Sequence, residues 1–272
     1  LRPLTNYQPK EILPVGRKPV ISYVIEEIRK ADVENILIVT TKDKRIMEDC
    51  IEQEKSSTGE FFYVKQLLRD DMPYGLGYAI GLSEAFVSNE PFVVCLGDCI
   101  IKTGNDDDFL LKRMIETHEK FEAAATIAFE KVPQGKVSKY GVAKPLKYLS
   151  DGVFQLGDIV EKPDIDKAPS NMAVAARYVF EPDIFPLIRK TKPGKGGEIQ
   201  ITDAIKNLID DKHPVYGVEF NKDEKRYDIG DFDGYFRAFF DCSINDESCG
   251  EDFKKYVQKR LLQSNNDQKT GD

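Results

Sequence analysis

The run Phe92-Val-Val-Cys-Leu-Gly-Asp98 constrains this chain more than any other stretch. It is apolar without interruption as far as Leu96, with no alternation of polar and apolar positions. A strand covered on both faces reads that way, as the inner strands of parallel α/β sheets do. The run stops at Gly97-Asp98. In an open α/β sheet, ligands bind beyond the carboxyl ends of the strands. A carboxylate delivered there can hold a metal ion, and Mg²⁺ takes one or two carboxylates together with substrate phosphates. Gly97 leaves space for a ligand or another stretch of backbone to come close.

The flanking sequence supplies the helices and strands such a sheet needs. Val20 to Ala31 carries apolar residues at Val20, Ile21, Val24, Ile25 and Ile28, the spacing of an amphipathic helix. Asn35 to Thr40 and Phe61 to Gln66 read as strands, with a charged helix over Lys42 to Glu54 between them. Gly77 to Val87 reads as a helix and precedes the Phe92 strand. Asp106 to Lys120 predicts another helix, opened by three aspartates that suit a helix N-terminus. Strands follow at Ala123 to Phe129, Tyr140 to Lys144, Val153 to Val160 and Asn171 to Phe180. Pro182 to Lys190 and Glu198 to Asp211 predict helices around a Gly-rich loop, Thr191 to Gly197. Val215 to Phe220 is a last strand, and amphipathic helices are expected at Phe232 to Cys242 and Gly250 to Leu262. The alternation implies βαβ units. The expected fold is α/β: a Rossmann-like mixed, mostly parallel sheet flanked by helices, with C-terminal helices. The domain organisation read from the sequence is a main α/β domain over 1–240, a helical appendage over 241–263 and a polar, disordered tail over 264–272.

Charge and cysteine content narrow the function classes. The chain has 272 residues, of which 32% are charged, and a formal net charge of −8. Its Lys and Arg are spread along the chain, so no basic face for nucleic acid is expected. An acidic protein that handles phosphates must do so with local lysines, backbone amides or a metal, against its overall field. The five cysteines form no CxxC pair, and an odd count with Cys95 inside the apolar strand suggests reduced thiols in a cytoplasmic setting. No apolar run approaches membrane-spanning length and no signal peptide is expected. The dinucleotide fingerprint is absent, which argues against a nicotinamide dehydrogenase. His118 and His213 fit neither a triad nor a zinc pattern.

Three features converge on metal-dependent phosphate chemistry. Asp98 ends a strand, and Asp228, in Tyr-Asp-Ile-Gly, sits at a second junction before a helix. Two carboxylates from distant parts of a chain can make one Mg²⁺ site completed by phosphate and water. Lys10 and Lys162 lie in Pro-Lys-Glu and Glu-Lys-Pro, and each can neutralise a phosphoryl group as charge builds up. Singly, each is an ordinary surface charge; the conjunction argues for a site. Tyr74-Gly-Leu-Gly77 opens a helix, where backbone amides bind anions or carbonyl oxygens.

Many segments occur in a familiar order: Pro9-Lys-Glu-Ile-Leu-Pro14, Gly75-Leu-Gly-Tyr-Ala79, Leu96-Gly-Asp98, Tyr140-Gly-Val142, Val160-Glu-Lys-Pro163, Arg177-Tyr178, Gly197-Glu-Ile-Gln-Ile-Thr-Asp-Ala-Ile205 and Tyr227-Asp-Ile-Gly230. From Leu1 to about Ala238 the chain resembles the bacterial-type UTP–glucose-1-phosphate uridylyltransferases, or UDP-glucose pyrophosphorylases, within the nucleoside-diphosphate-sugar pyrophosphorylases. The resemblance implies a nucleotidyltransferase type A-like fold and a reaction of UTP with glucose 1-phosphate, giving UDP-glucose and pyrophosphate. It implies Mg²⁺ held by Asp98 and Asp228, and nucleotide phosphates contacted by Lys10. Lys162 would contact the sugar phosphate, Glu161 the glucose hydroxyls and Gly141 the sugar through its backbone. Gln66 and Gly75 would read the uracil edge. A homodimer or homotetramer would fit the family. The family's opening strand and Gly-rich loop are matched only at their end, by Leu1-Arg-Pro-Leu-Thr5, so the glycines and catalytic arginine are expected upstream of Leu1. Two alternatives stand beside this reading: a thymidylyltransferase making dTDP-glucose, and an inactive regulatory homologue that binds sugar nucleotides.

Overall fold

The computed structural model describes residues 1–41, 44–52, 59–67 and 74–269. Its first elements are β1 (Pro14–Val15), β2 (Lys18–Pro19), α1 (Val20–Lys30), β3 (Ile36–Thr40), α2 (Lys44–Glu52) and β4 (Phe61–Lys65). Next come α3 (Leu76–Gly81), α4 (Glu84–Val87), β5 (Phe92–Cys95), β6 (Cys99–Lys102), α5 (Leu110–Lys120), β7 (Ala125–Lys131), β8 (Gly141–Ser150) and β9 (Val153–Glu161). The chain continues through β10 (Met172–Phe180), α6 (Ile184–Lys190), α7 (Ile201–Asp210), β11 (Val215–Glu219), β12 (Lys225–Asp228), α8 (Phe232–Ile244) and α9 (Gly250–Lys269). Contacts divide it into two compact units. One gathers Leu1–Tyr23, Gly97–Ile100 and Tyr227–Asp272, and the other Val24–Leu96 and Ile101–Arg226. Both units draw on separated stretches of sequence.

The larger unit is built on a six-stranded sheet of order β5-β10-β7-β11-β9-β8. β10 opposes both β5 and β7, so those two share a direction. β11 runs parallel to β7. β9 opposes β11 and β8 opposes β9, so β8 runs with β11. Four of the six strands therefore point one way, and the fold is mixed α/β with helices on the sheet. β3 and β4 form a separate parallel pair in register Ile36 with Phe61. The period-two alternation of a strand sends successive side chains to opposite faces. On β7, Ala125, Ile127 and Phe129 join a core with Ile184, Leu187 and Ile188 of α6 and Ile201, Ala204, Ile205 and Leu208 of α7. Ala128 instead meets Leu110 and Met114 of α5.

Several sequence expectations are corrected here. The Phe92 strand was expected to be covered on both faces, yet every residue of β5 is only half-buried. β5 lies at the end of the strand order, with β10 as its partner. The helix expected to open at Asp106 starts at Leu110, with Phe109 at its N-cap and no side-chain cap. Lys30 bonds Asp106 at 2.5 Å and Arg113 approaches Asp108 at 3.4 Å, so these carboxylates serve ion pairs instead of capping. The single helix expected over Gly77 to Val87 breaks into α3 and α4. The strand expected over Tyr140 to Lys144 extends to Ser150 as half of a hairpin with β9. The ends of the helix expected over Lys42 to Glu54 lie outside the described residues.

The smaller unit has its own core of Val15, Val20, Ile100, Tyr227, Ile229, Ala238 and Cys242. The β1–β2 hairpin turns at Gly16, whose φ of +63° favours glycine. Asp231 caps α8 by accepting from the Gly234 N–H at 2.8 Å. α9 continues as helix through Lys269, past the point where an irregular tail was expected. Among the described residues no helix is long and apolar enough to cross a membrane.

Candidate active site

Asp98 follows β5 by three residues and precedes β6 directly. β6 pairs with β12, and just beyond them the Ile229 N–H donates to the Asp98 carbonyl at 3.0 Å. That bond brings the residue after Asp228 onto Asp98, so two carboxylates from distant sequence share one junction. Asp228 is exposed and its Oδ1 accepts the Gly230 N–H at 2.8 Å, a local turn that fixes the carboxylate. Lys10 opens the short turn Lys10–Ile12 after Pro9, and its ammonium bonds Asp98 Oδ2. Burial by itself would lower the Lys10 pKa. The charge and hydrogen bond of Asp98, with Glu11 and Asp228 nearby, outweigh burial and hold it above the usual lysine value. Gly97 has Ile21 and Glu11 against it: a Cβ there would lie 3.2 Å from Ile21 Cδ1 and 3.3 Å from Glu11 Cγ. The protein's own side chains take the space that was expected for a ligand or a second backbone.

Asp98 and Asp228 offer hard oxygen donors, and a cation, the Lys10 ammonium, already sits on one of them. Among the described residues no group of three or more His, Cys, Asp or Glu gathers as a metal cage. A donor set of two carboxylates fits a small divalent cation that draws the rest of its shell from water and phosphate, the habit of Mg²⁺.

The second cluster forms where β8 begins and β9 ends. Gly141 pairs with Glu161 across the hairpin. A Cβ at Gly141 would come within 2.8 Å of Thr202 Cγ2 and 3.2 Å of Glu161 Oε2, so only glycine fits without displacement. Lys162 Nζ lies 3.3 Å from Glu161 Oε1, and the Thr202 hydroxyl donates to Glu161 Oε2. Lys162 adopts φ +44°, a left-handed conformation unusual for a residue with a side chain. Its N–H is spent on the Tyr140 carbonyl at 2.9 Å. Burial and the Glu161 charge raise the Asp203 pKa, against the opposing charge of Lys206.

Gly75 precedes α3 at φ +109°, with no room for a side chain against Ile199 and Glu198. The Gly77 N–H, one of the amides expected to bind an anion or a carbonyl oxygen, donates to the Ile199 carbonyl at 2.9 Å. The Ile199 N–H donates to the Tyr74 carbonyl at 2.7 Å, so the two Gly-rich segments are stitched together. Gln66 is buried, and its N–H bonds the Thr40 carbonyl at 2.8 Å. Residues 68–73, between Gln66 and Gly75, lie outside the described set. His118 is buried between Thr126 and Glu181, a structural role, and His213 is exposed.

Two residues beside these elements were given no role in the sequence reading. Thr202 left no signal beyond its place in Gly197 to Ile205. Arg177 left one, a charge inside the apolar run Val174 to Phe180. It is fully buried and bonds Glu27 at 2.6, 3.1 and 3.2 Å. Ala176, beside it, takes φ +61° where the β7–β10 register shifts. The Ala176 carbonyl accepts the Leu96 N–H at 3.2 Å and Arg177 Nη1 at 3.0 Å.

Two carboxylates with a lysine upon them at one junction, and a separate lysine–carboxylate corner beside α7, are side chains of the kind that phosphate chemistry employs. The chain belongs to the nucleotidyl transferase family, whose model matches residues 1–243. It is 36% identical, over 94% of its own length and 90% of the relative's, to UTP–glucose-1-phosphate uridylyltransferase 2 of Streptococcus pyogenes. It is 40% identical, over 88% and 87%, to a Methanocaldococcus jannaschii protein provisionally given the same activity name. A solved UDP-glucose pyrophosphorylase complexed with UDP-glucose superposes with a TM-score of 0.79 at 38% identity, covering 88% of this chain and 92% of that one.

Proposed function

We propose that this chain transfers a uridylyl group from UTP to glucose 1-phosphate. A phosphate oxygen of the sugar phosphate attacks the α-phosphorus of UTP in line. The bond from that phosphorus to the bridging oxygen breaks, and pyrophosphate leaves with both electrons of the bond. No covalent enzyme intermediate is needed, so positioning and charge neutralisation supply the catalysis. The observation that carries the reading is the Asp98–Asp228 junction with Lys10 upon it, in a chain whose relatives are named for this activity.

A divalent metal goes with the family, and we assign Mg²⁺ to Asp98 and Asp228, where it would neutralise phosphate oxygens. Lys10 then contacts the nucleotide phosphates and Lys162 the phosphate of the sugar. Glu161 accepts from glucose hydroxyls, and Gly141 keeps the backbone close to the ring. Gln66 and Gly75 read the uracil edge. The cytoplasmic setting rests on the odd count of five cysteines, all of them reduced thiols. A homodimer or homotetramer is supported by exposed Phe236, Phe239, Phe240 and Tyr256 on α8 and α9.

The test is pyrophosphate release from glucose 1-phosphate with UTP or dTTP, each with Mg²⁺ and with chelator. We expect rapid release with UTP, slower release with dTTP, and loss on chelation that added Mg²⁺ restores. A preference for dTTP would keep the chemistry and change the product. No release with either nucleotide would overturn the assignment in favour of a binding homologue.

A further inference from the structure

Glu161 is held at both ends of its carboxylate. Lys162 Nζ stands 3.3 Å from Oε1, and the Thr202 hydroxyl donates to Oε2. Thr202 is 5% exposed, so water does not readily replace that donor. The methyl of the same residue bounds Gly141: a Cβ there would come within 2.8 Å of it. One side chain thus touches Glu161 through its oxygen and limits Gly141 through its carbon. Thr202 lies in the first turn of α7, a ten-residue helix, where the helix dipole favours a nearby carboxylate. The upward shift of the Asp203 carboxyl, from burial and then from the Glu161 charge, fits a Glu161 charge close to this turn.

Ile201, Ala204, Ile205 and Leu208 already fix α7 in the core. What the hydroxyl adds is directional. Each carboxylate oxygen has two acceptor sites, and a donor fixed on one of them decides where the other points. We propose that Thr202 is a positioning residue for Glu161, orienting its free acceptor sites toward the hydroxyls of the sugar phosphate. The inference rests on the proposed function, which makes Glu161 the residue that reads the sugar. An unrestrained carboxylate would have to be ordered anew each time the sugar binds, which weakens affinity for that substrate and leaves the nucleotide unaffected.

Thr202→Val keeps the shape and removes the donor, and Thr202→Ser returns the donor. Both are compared with the parent and Glu161→Gln by KM for each substrate, kcat and thermal midpoint. Thr202→Val should raise KM for glucose 1-phosphate by about tenfold, the lower end of what a hydrogen bond to a charged group is worth. KM for UTP should stay within about twofold, since no nucleotide contact is assigned to this corner. Thr202→Ser should restore the sugar KM. An unchanged sugar KM in Thr202→Val, an equal rise for both substrates, or no rescue by serine overturns the inference. If Thr202→Val does not fold, Thr202→Ala takes its place in the same comparison. A parent without UDP-glucose synthesis would sink the proposed function itself. Glu161→Gln with a normal sugar KM would remove Glu161 as the sugar reader. A damaged Glu161→Gln beside a normal Thr202→Val would sink the role of Thr202 alone.

Discussion

Lys10 and Lys162 sit in mirrored sequence contexts, Pro-Lys-Glu and Glu-Lys-Pro, and the fold uses them in opposite ways. Lys10 bonds Asp98, 88 residues away, with its neighbour Glu11 adding its charge. Lys162 stays with its neighbour Glu161. Burial does not separate them: side-chain exposures are 40% and 18% for Lys10–Asp98, against 37% and 15% for Lys162–Glu161. Connectivity does. The Lys10 cluster closes three distant stretches of chain and holds two acidic groups whose charge a cation can share. The Lys162 cluster comes from one hairpin and the first turn of α7, with its carboxylate oriented before any ligand arrives. The first is suited to ions and phosphates that enter with their own charge. In the proposed function the second meets the sugar phosphate, its lysine taking the phosphate and its carboxylate the hydroxyls.

The largest expected effect breaks the first cluster. Asp98→Ala should lower turnover by ~10²–10³-fold or more, the scale on which a preorganised electrostatic group acts. Its thermal midpoint should move by only a few degrees, because the lost pair is partly exposed and worth little. Asp228→Ala should behave alike. Near-normal kcat in either variant would remove the metal assignment and with it the contrast.

Next in size is a test of the second cluster. Gly141→Ala forces a Cβ against Thr202 and Glu161, overpacking that costs ~1–3 kcal/mol. The thermal midpoint should fall by several degrees and the sugar KM should rise more than that for UTP. A variant as stable as the parent, with an unchanged sugar KM, would show that the corner is not preset.

The smallest effect is a pH dependence of the first cluster, measured with chelator present. The Lys10 pKa is raised in the folded state, the Asp98 pair prevailing over burial. Its contribution is therefore complete below the unfolded value of roughly 10.4 and is lost as pH climbs through the higher folded value. Lys10→Met should remove that part of the alkaline decline in thermal midpoint. Parallel declines in parent and variant between pH 9 and 11 would show that the pair adds nothing to folding.

Much of this molecule could be read from its sequence. The spacing of Val20, Ile21, Val24, Ile25 and Ile28 placed α1 within a residue of its observed end. The apolar runs at Ile36 to Thr40 and Val215 to Glu219 are strands in the structure. Periodicity works there because each residue reports the side of the element it faces, and that depends only on near neighbours in the chain. The candidate residues were visible as types in the right surroundings: acids at strand ends, lysines beside proline.

Tertiary structure decided what depends on residues far apart. It left β5 with β10 as its strand partner among the described residues, because burial is set by which strands lie alongside and not by a strand's own composition. It turned Asp106 and Asp108 from caps into ion-pair partners, because Lys30 and Arg113 were within reach. It placed Ile229 on Asp98, Lys10 across from it, and Thr202 against Glu161. A hydrogen bond or an ion pair is a matter of a few ångströms, and local patterning carries no measure of distance between segments that are remote in sequence. The chain alone therefore named the chemical groups, and only the packed fold determined which of them meet.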